Sequence, residues 1–204
     1  MEGINRKADM IDAAMRVVAE DGLTAFSMKK VTDRLGVSEA LIYRYFETKE
    51  NLLYACFETM HRQIAELFRQ TAAPPSGGME DAIPLIRGMW MSYFDLLVRS
   101  GYRTIFYFEY RDSSYIRRVL EEDGEVRQTY FHSFVGVFAA LDSAFHICER
   151  TSPDHLWTYV LDTSGAFARR VIRGELPDTA ESRENIWRLI SGGLGGLLHT
   201  EDTA

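Results

Sequence analysis

The segment VSEALIYRYFETKENLL, at 37–53, combines aromatic side chains with cations at close spacing. Tyr43 and Arg44 are adjacent in it, and Lys49 follows near the predicted start of the next helix. A tyrosine hydroxyl can donate to a phosphate oxygen, and arginine can bind a phosphate or the paired acceptors of guanine. A lysine at a helix N-terminus adds charge to a place that already attracts anions. These residue types suit a clamp on a phosphate backbone.

Two short helices are predicted to hold these side chains. Ser27 can cap a helix that ends at Gly36, and Ser38 can cap the next one. Val37 and Ile42 are spaced as a hydrophobic staple around the second cap. Two short helices on either side of a tight turn predict a helix-turn-helix, whose second helix enters the DNA major groove.

The second helix has one apolar face and one polar face. Its apolar positions are Leu41, Ile42 and Phe46, and the opposite face carries Ala40, Tyr43 and Arg44. Packing of the small three-helix unit is the alternative role for its rings, including Tyr45. The spacing leaves both roles open.

Helical periodicity continues along the chain and predicts an all-α protein. A first helix near 5–20 stops at Asp21-Gly22, and a long helix beginning at Thr48 runs to a loop at 72–78. The apolar run TIFYFEY, 104–110, is assigned to a helix because its surroundings are helical. Ser152 and the segment Pro177 to Thr179 are predicted to begin the last two helices.

The run SMKKVTDRLGVSEALIYRYFETKENLLYACFE, at 27–58, resembles the DNA-binding domain of the tetracycline-repressor (TetR) family of bacterial regulators. The resemblance implies a homodimer, a variable C-terminal ligand domain, and repression that is relieved when a small molecule binds. It implies a DNA-binding domain at 1–50, linked through the long helix 49–72, and a ligand-binding and dimerisation domain at 51–204. Carried over by position, the residues expected at DNA are Ser27, Ser38, Glu39, Ala40, Tyr43, Arg44, Tyr45 and Lys49.

The recognition helix departs from the family pattern at its start. Where many members carry Lys-Gly, this sequence has Glu39-Ala40. A carboxylate suits the positive end of the helix dipole but repels phosphate. Glu39 is therefore expected either to accept from a cytosine amino group or to point away from DNA.

Charge in the N-terminal region argues for two copies. The first 50 residues hold eight Lys and Arg against nine Asp and Glu, a sum of −1. A dimer that contacts two half-sites compensates for this weak attraction, because the second contact is intramolecular. Gly165 in one late helix, and Gly192 and Gly193 in the last one, would let helices approach closely and predict the interface between copies.

The middle of the chain is rich in aromatic residues, which predict either a core or a pocket for a small apolar or aromatic effector. The candidate polar contacts in such a pocket are Glu109, Arg111, His132 and Asp142. The candidate effector-binding rings are Trp90, Tyr93, Phe94, Phe106, Tyr107, Tyr110, Tyr130, Phe131, Phe134 and Phe138.

Other classes of function have weaker support. The group HICE, 146–149, has neither a metal-ligand spacing nor a catalytic triad, so no catalytic residue, metal or cofactor is expected. A net charge of −7, two separated cysteines and the lack of a long apolar run predict a cytoplasmic protein without membrane contact. The alternatives that stay open are a helical protein-interaction module and an enzyme that has lost DNA binding.

Overall fold

The computed structural model of the 204-residue chain describes residues 2–71, 79–122, 142, 151–152, 155–156 and 158–198. Within these ranges the regular structure is helical and no strand occurs, which confirms the all-α class. The helices are α1 (Glu2–Asp21), α2 (Met28–Leu35), α3 (Glu39–Phe46), α4 (Lys49–Thr71), α5 (Met79–Ser100), α6 (Tyr102–Arg111), α7 (Ser114–Glu122), α8 (Thr163–Ile172) and α9 (Ala180–Leu198). A π-helical turn, Thr158–Asp162, leads into α8.

The chain divides into two compact units. The first comprises 1–63 and 100–128, and the second comprises 64–99 and 129–204. Helices α6 and α7 therefore belong to the same unit as the N-terminal helices. The division of function predicted near residue 50 stays a prediction.

Local signals explain the ends of the short helices. The Ser27 hydroxyl accepts from the backbone N–H of Lys30 at 3.3 Å, and Gly36 ends α2 at φ 65°. The Thr48 hydroxyl caps α4 by accepting from the N–H of Asn51 at 3.0 Å. Ser38 precedes α3 in extended conformation, but its side chain makes no capping hydrogen bond. The predicted side-chain cap at Ser38 is therefore wrong.

Helix α6 is fastened to α1 by a polar cluster around Asp12. The Asp12 carboxylate accepts from the Tyr102 hydroxyl, from Arg103 Nη2 at 2.7 Å and from Arg16 Nε at 3.1 Å. The Arg16 guanidinium also lies 4.0 Å from the centre of the Tyr102 ring. Burial raises the pKa of Asp12, but the hydrogen bonds from Tyr102, Arg103 and Arg16 outweigh it and the net pKa is lowered.

An aromatic stack joins α4 to α6 inside the first unit. The Phe57 and Tyr107 rings are nearly parallel, with centroids 5.1 Å apart, and His61 stacks on Phe57 at 5.4 Å. His61 Nδ1 is 3.2 Å from the Tyr107 hydroxyl. Burial lowers the pKa of His61 to about 4, so the ring is neutral near pH 7.

The second unit has its own core around two tryptophans. The Trp90 and Trp187 rings lie 5.5 Å apart, and Trp90 Nε1 donates to the Ser164 hydroxyl at 2.9 Å. Arg183 links α9 to α5 through Asp95 at 3.0 Å. These contacts position α5, α8 and α9 within the unit.

The backbone at Gly193 lies against the Tyr159 side chain of the same chain. The Tyr159 hydroxyl donates to the carbonyls of Leu189 and Ile190, at 3.1 and 3.4 Å, and a side chain at Gly193 would overlap the Tyr159 ring. A Cβ atom added at Gly192 would meet no other group within 4 Å among the described residues, its own helix backbone aside. Gly193 therefore closely approaches Tyr159 of the same chain. An approach of a second copy at Gly192 and Gly193 stays a prediction.

A matched pair of alanine variants tests this packing. Gly193→Ala should lower the free energy of unfolding by about 1 to 2 kcal/mol because the new methyl group displaces Tyr159. Gly192→Ala should raise it by up to about 1 kcal/mol because alanine is the better helix former. Urea unfolding at one protein concentration measures both. Equal changes in the two variants would show that Tyr159 does not occupy the position.

The Asp12 cluster predicts a pH-dependent contribution to stability. The folded-state pKa of Asp12 lies below its usual 3.8, so the contribution is present above about pH 4 and disappears as pH falls through the lowered pKa. Asp12→Asn should cost about 1 to 2 kcal/mol at pH 7 and progressively less below pH 4. Urea unfolding of both proteins between pH 7 and pH 3.5 measures the difference. Asp9→Asn, an exposed change on the same helix, is the control, and an equal effect of both variants would contradict the role of the cluster.

Candidate nucleic-acid interface

Helix α3 presents one anchored face and one exposed face. Ile42 is fully buried and Phe46 is 4% exposed, whereas Tyr43 is 44% exposed. Ala40 and Arg44 are exposed beside Tyr43, as the sequence spacing predicts. Alanine, tyrosine and arginine thus form a contiguous solvent-facing strip of small, aromatic and cationic side chains.

Two cations are Arg44, within this strip, and Lys49, at the start of α4. Among the residues described, no acidic group lies within salt-bridge distance of Arg44 or Lys49. Arg44 instead lies 5.7 Å from the centre of the Tyr45 ring. Lys49 Nζ sits 5.5 Å from the centre of the Phe26 ring and 5.6 Å from that of Tyr115. Both positive charges are therefore available to an anion.

The aromatic support of Lys49 was not predicted from the sequence. Phe26 is adjacent to the predicted cap Ser27, but Tyr115 is distant in sequence and belongs to α7. Lys49 is the first residue of α4, where free backbone N–H groups favour anions. The rings hold its aliphatic stem and ammonium near that helix end.

The remaining predicted positions lie around the same helix. Ser38 and Glu39 are exposed at its start, Tyr45 is half-buried, and Ser27 is half-buried at the start of α2. The Ser27 hydroxyl is already engaged as the α2 cap. Its lone pairs can still accept, and its hydrogen can still be donated to a phosphate oxygen.

The N-terminal region matches the family described as "Bacterial regulatory proteins, tetR family" over residues 10–56, which covers α1, α2 and α3 and the start of α4. This N-terminal region is therefore similar to the tetR family of bacterial regulatory proteins. The HTH-type transcriptional regulator BetI of Rhizobium meliloti (strain 1021) is 42% identical over 60 residues. That match spans 29% of each chain, so the chain spans less than a third of this curated relative's length.

Solved structures extend the TetR likeness to the fold of almost the whole chain. A TetR family transcription regulator from Marinobacter aquaeolei VT8 superposes with a TM-score of 0.72 and 20% identity, over 93% of this chain and 96% of that one. The transcriptional regulator FadR from Bacillus subtilis, in complex with stearoyl-CoA, gives 0.58 at 20% identity over 95% and 98%. At these identities the likeness concerns the fold.

Glu39 occupies the first position of α3 and is exposed. It lies close enough to Lys29 of α2 to affect its titration. The pKa of Lys29 is raised, first by its hydrogen bond to Asp33 and the charge of Asp33, and in a smaller part by the charge of Glu39. The Glu39 carboxylate therefore lies at the exposed N-terminal end of α3. If α3 entered a DNA major groove, this end would face the base edges.

Six of the ten predicted effector-binding rings are described, and all six are buried. Trp90, Tyr93 and Phe94 lie in the second unit, whereas Phe106, Tyr107 and Tyr110 lie in the first. Each packs against another ring of its own unit. Tyr130, Phe131, Phe134 and Phe138 lie outside the described residues.

Two of the four candidate polar contacts, Glu109 and Arg111, have other partners. His132 lies outside the described residues. The Glu109 carboxylate accepts from the backbone N–H of Leu23 at 3.2 Å. Arg111 binds Asp112 at 3.1 Å and covers the Phe108 ring at 4.5 Å. Both groups therefore stabilise the first unit.

Within the described ranges, no group of His, Cys, Asp and Glu could hold a metal ion. No described helix is long and apolar enough to cross a membrane. The HICE segment lies outside the described residues. Cys56 is buried, and burial raises the pKa of its thiol, which makes it a poor nucleophile.

Reversing the charge at Glu39 tests its role as a base contact. Glu39→Lys should raise affinity for all duplexes about tenfold at low salt and reduce the discrimination between operator and scrambled DNA, because a phosphate contact replaces a base contact. Selection from a randomised duplex library, before and after the substitution, measures the preference. Glu50→Lys makes the same charge change at an exposed position outside α3. An unchanged base preference in Glu39→Lys would refute the base contact.

Proposed function

We propose that the protein is a sequence-specific DNA-binding regulator of transcription whose operator affinity is controlled by a small apolar or aromatic ligand. The observation that carries this is the anchored α3, which holds Tyr43 and Arg44 in solvent within a TetR-type domain. Tyr43 and Arg44 are exposed on a helix whose opposite face is buried, which favours contact with a partner over core packing. For Phe46, which is buried, packing is the role.

Homodimerisation is the second part of the proposal. A lone DNA-binding region with slightly negative net charge has little electrostatic attraction for DNA, and two-fold operators require two recognition helices at fixed spacing. Helix α9 offers a face for a second copy. Leu189 is 64% exposed there, while Ile186 and Ile190 on the same helix are buried. Gly192, next to open space, suits a close contact in this face.

Control by a ligand is the third part. The FadR structure in complex with stearoyl-CoA shows a protein of this fold that holds an acyl ligand. In this chain the abundance of aromatic residues supports a small effector with an apolar or aromatic portion. Because the described rings already pack on one another, an effector would have to displace ring contacts, and that displacement would couple binding to conformation.

Repression relieved by the effector is the direction that we propose. Half-sites require a fixed separation of the two recognition helices, so a small change in that separation is sufficient to release DNA.

A gel-shift titration on DNA flanking the protein's own gene tests DNA binding. The proposal expects binding that survives scrambled competitor and weakens steeply between low and moderate salt. If no duplex binds there, selection from a randomised library follows. A library without any enriched sequence would contradict the function and favour a protein-interaction module.

Tryptophan emission offers a test of the effector. Trp90 and Trp187 are buried with adjacent rings, so a ligand that disturbs this core should change emission saturably. The panel is a long-chain acyl-CoA, its free fatty acid, an aromatic carboxylate and coenzyme A alone. We expect an apolar member to change emission and to weaken operator binding about tenfold over the same concentration range, which is a coupling of typical size. Apolar ligands that bind without any effect on operator affinity would contradict the proposed control.

A further inference from the structure

The cations of α2 are held by carboxylates of the same unit. Lys29 Nζ contacts Asp33 at 2.7 Å, and Lys30 Nζ contacts Asp21 at 2.7 Å. Arg34 forms a two-point pair with Glu20, with Nη1 3.0 Å from Oε1. All three cations on this helix are therefore partnered, in contrast to Arg44 and Lys49.

Helix α2 is where free cations would act on DNA. It is the first helix of the helix-turn-helix, the one that crosses the DNA backbone when the second helix enters the groove. A free cation here that neutralised a phosphate would steepen the slope of log K against log [salt] by about 0.9. Three such cations per protomer would do so for DNA of any sequence. Each carboxylate competes with phosphate for one of these cations.

Helix stability does not explain where these carboxylates lie. Glu20 and Asp21 are in the last turn of α1, and Asp33 is in the last turn of α2, where the helix dipole disfavours negative charge. The Lys29–Asp33 pair also has the less favourable order, with the cation nearer the N-terminus. Exposed pairs of this kind contribute little to folding.

We infer that Glu20, Asp21 and Asp33 are specificity-determining residues that suppress sequence-independent DNA binding by occupying the cations of α2. This inference rests on the proposed DNA-binding function. Operator binding then depends mainly on α3 and on Arg44 and Lys49, so the ratio of specific to non-specific affinity is high. The carboxylates act on affinity for the backbone, and base preference stays with α3.

The test uses the full-length protein and two double variants. Asp21→Asn with Asp33→Asn frees Lys30 and Lys29. Glu58→Gln with Glu66→Gln is the matched control, because it removes the same charge and frees Arg62 and Arg69 on α4, outside the helix-turn-helix. Affinity for a library-selected operator and for a scrambled duplex is measured from 50 to 300 mM KCl, and circular dichroism verifies that each variant is folded.

The inference expects the Asp21, Asp33 variant to bind scrambled DNA roughly tenfold more tightly at low salt, with a slope steeper by up to about 1.8 per protomer. Its selected sequence should not change. The inference would be overturned if this variant bound scrambled DNA with the same affinity and salt slope as the control variant. If the parent protein still selected an operator, the proposed function would stand. A parent protein that selects no sequence would instead contradict the proposed function, and this inference with it.

Discussion

Helix α3 is too short to persist without tertiary support. An eight-residue helix is marginal in water, and its Ser38 cap supplies no side-chain hydrogen bond. Burial of Ile42 and Phe46 therefore provides most of what holds it. The same burial fixes its rotation, so that Ala40, Tyr43 and Arg44 face solvent. The proposed reading of DNA depends on this single constraint.

The first unit surrounds this helix with contacts distant in sequence. Tyr102 and Arg103 on α6 meet Asp12 on α1, and Glu109 on α6 receives the N–H of Leu23. Lys49 is placed between the rings of Phe26 and Tyr115. Helices α6 and α7 thus contact the segments that lead into α2 and α4. A change in α6 would reach these segments through polar contacts with defined geometry.

Sequence patterns predicted the helices well because their signals are local. The Ser27 cap, the left-handed Gly36 and the exposed face of α3 follow from residues within one or two turns, and the structure confirms them. The Ser38 cap was wrong because suitable chemistry does not ensure the required geometry. The Asp21–Lys30 pair and the contact of Tyr159 at Gly193 could not be predicted, since they depend on how helices cross. The identity of the DNA-contacting and effector-binding residues stays a prediction.

The cations of α2 are held by carboxylates, whereas Arg44 and Lys49 have no acidic partner among the described residues. The most direct test of the proposed DNA-reading role of α3 compares operator affinity of Arg44→Ala with that of Arg62→Ala. Arg62 is exposed on α4 and paired with Glu58, whereas Arg44 faces solvent on α3 without an acidic partner among the residues described. The account predicts that Arg44→Ala loses about tenfold or more in affinity and has a shallower salt slope, because a base or phosphate contact is removed, while Arg62→Ala stays within about twofold. Equal affinities for the two variants would contradict the assignment of α3 as the DNA-reading helix.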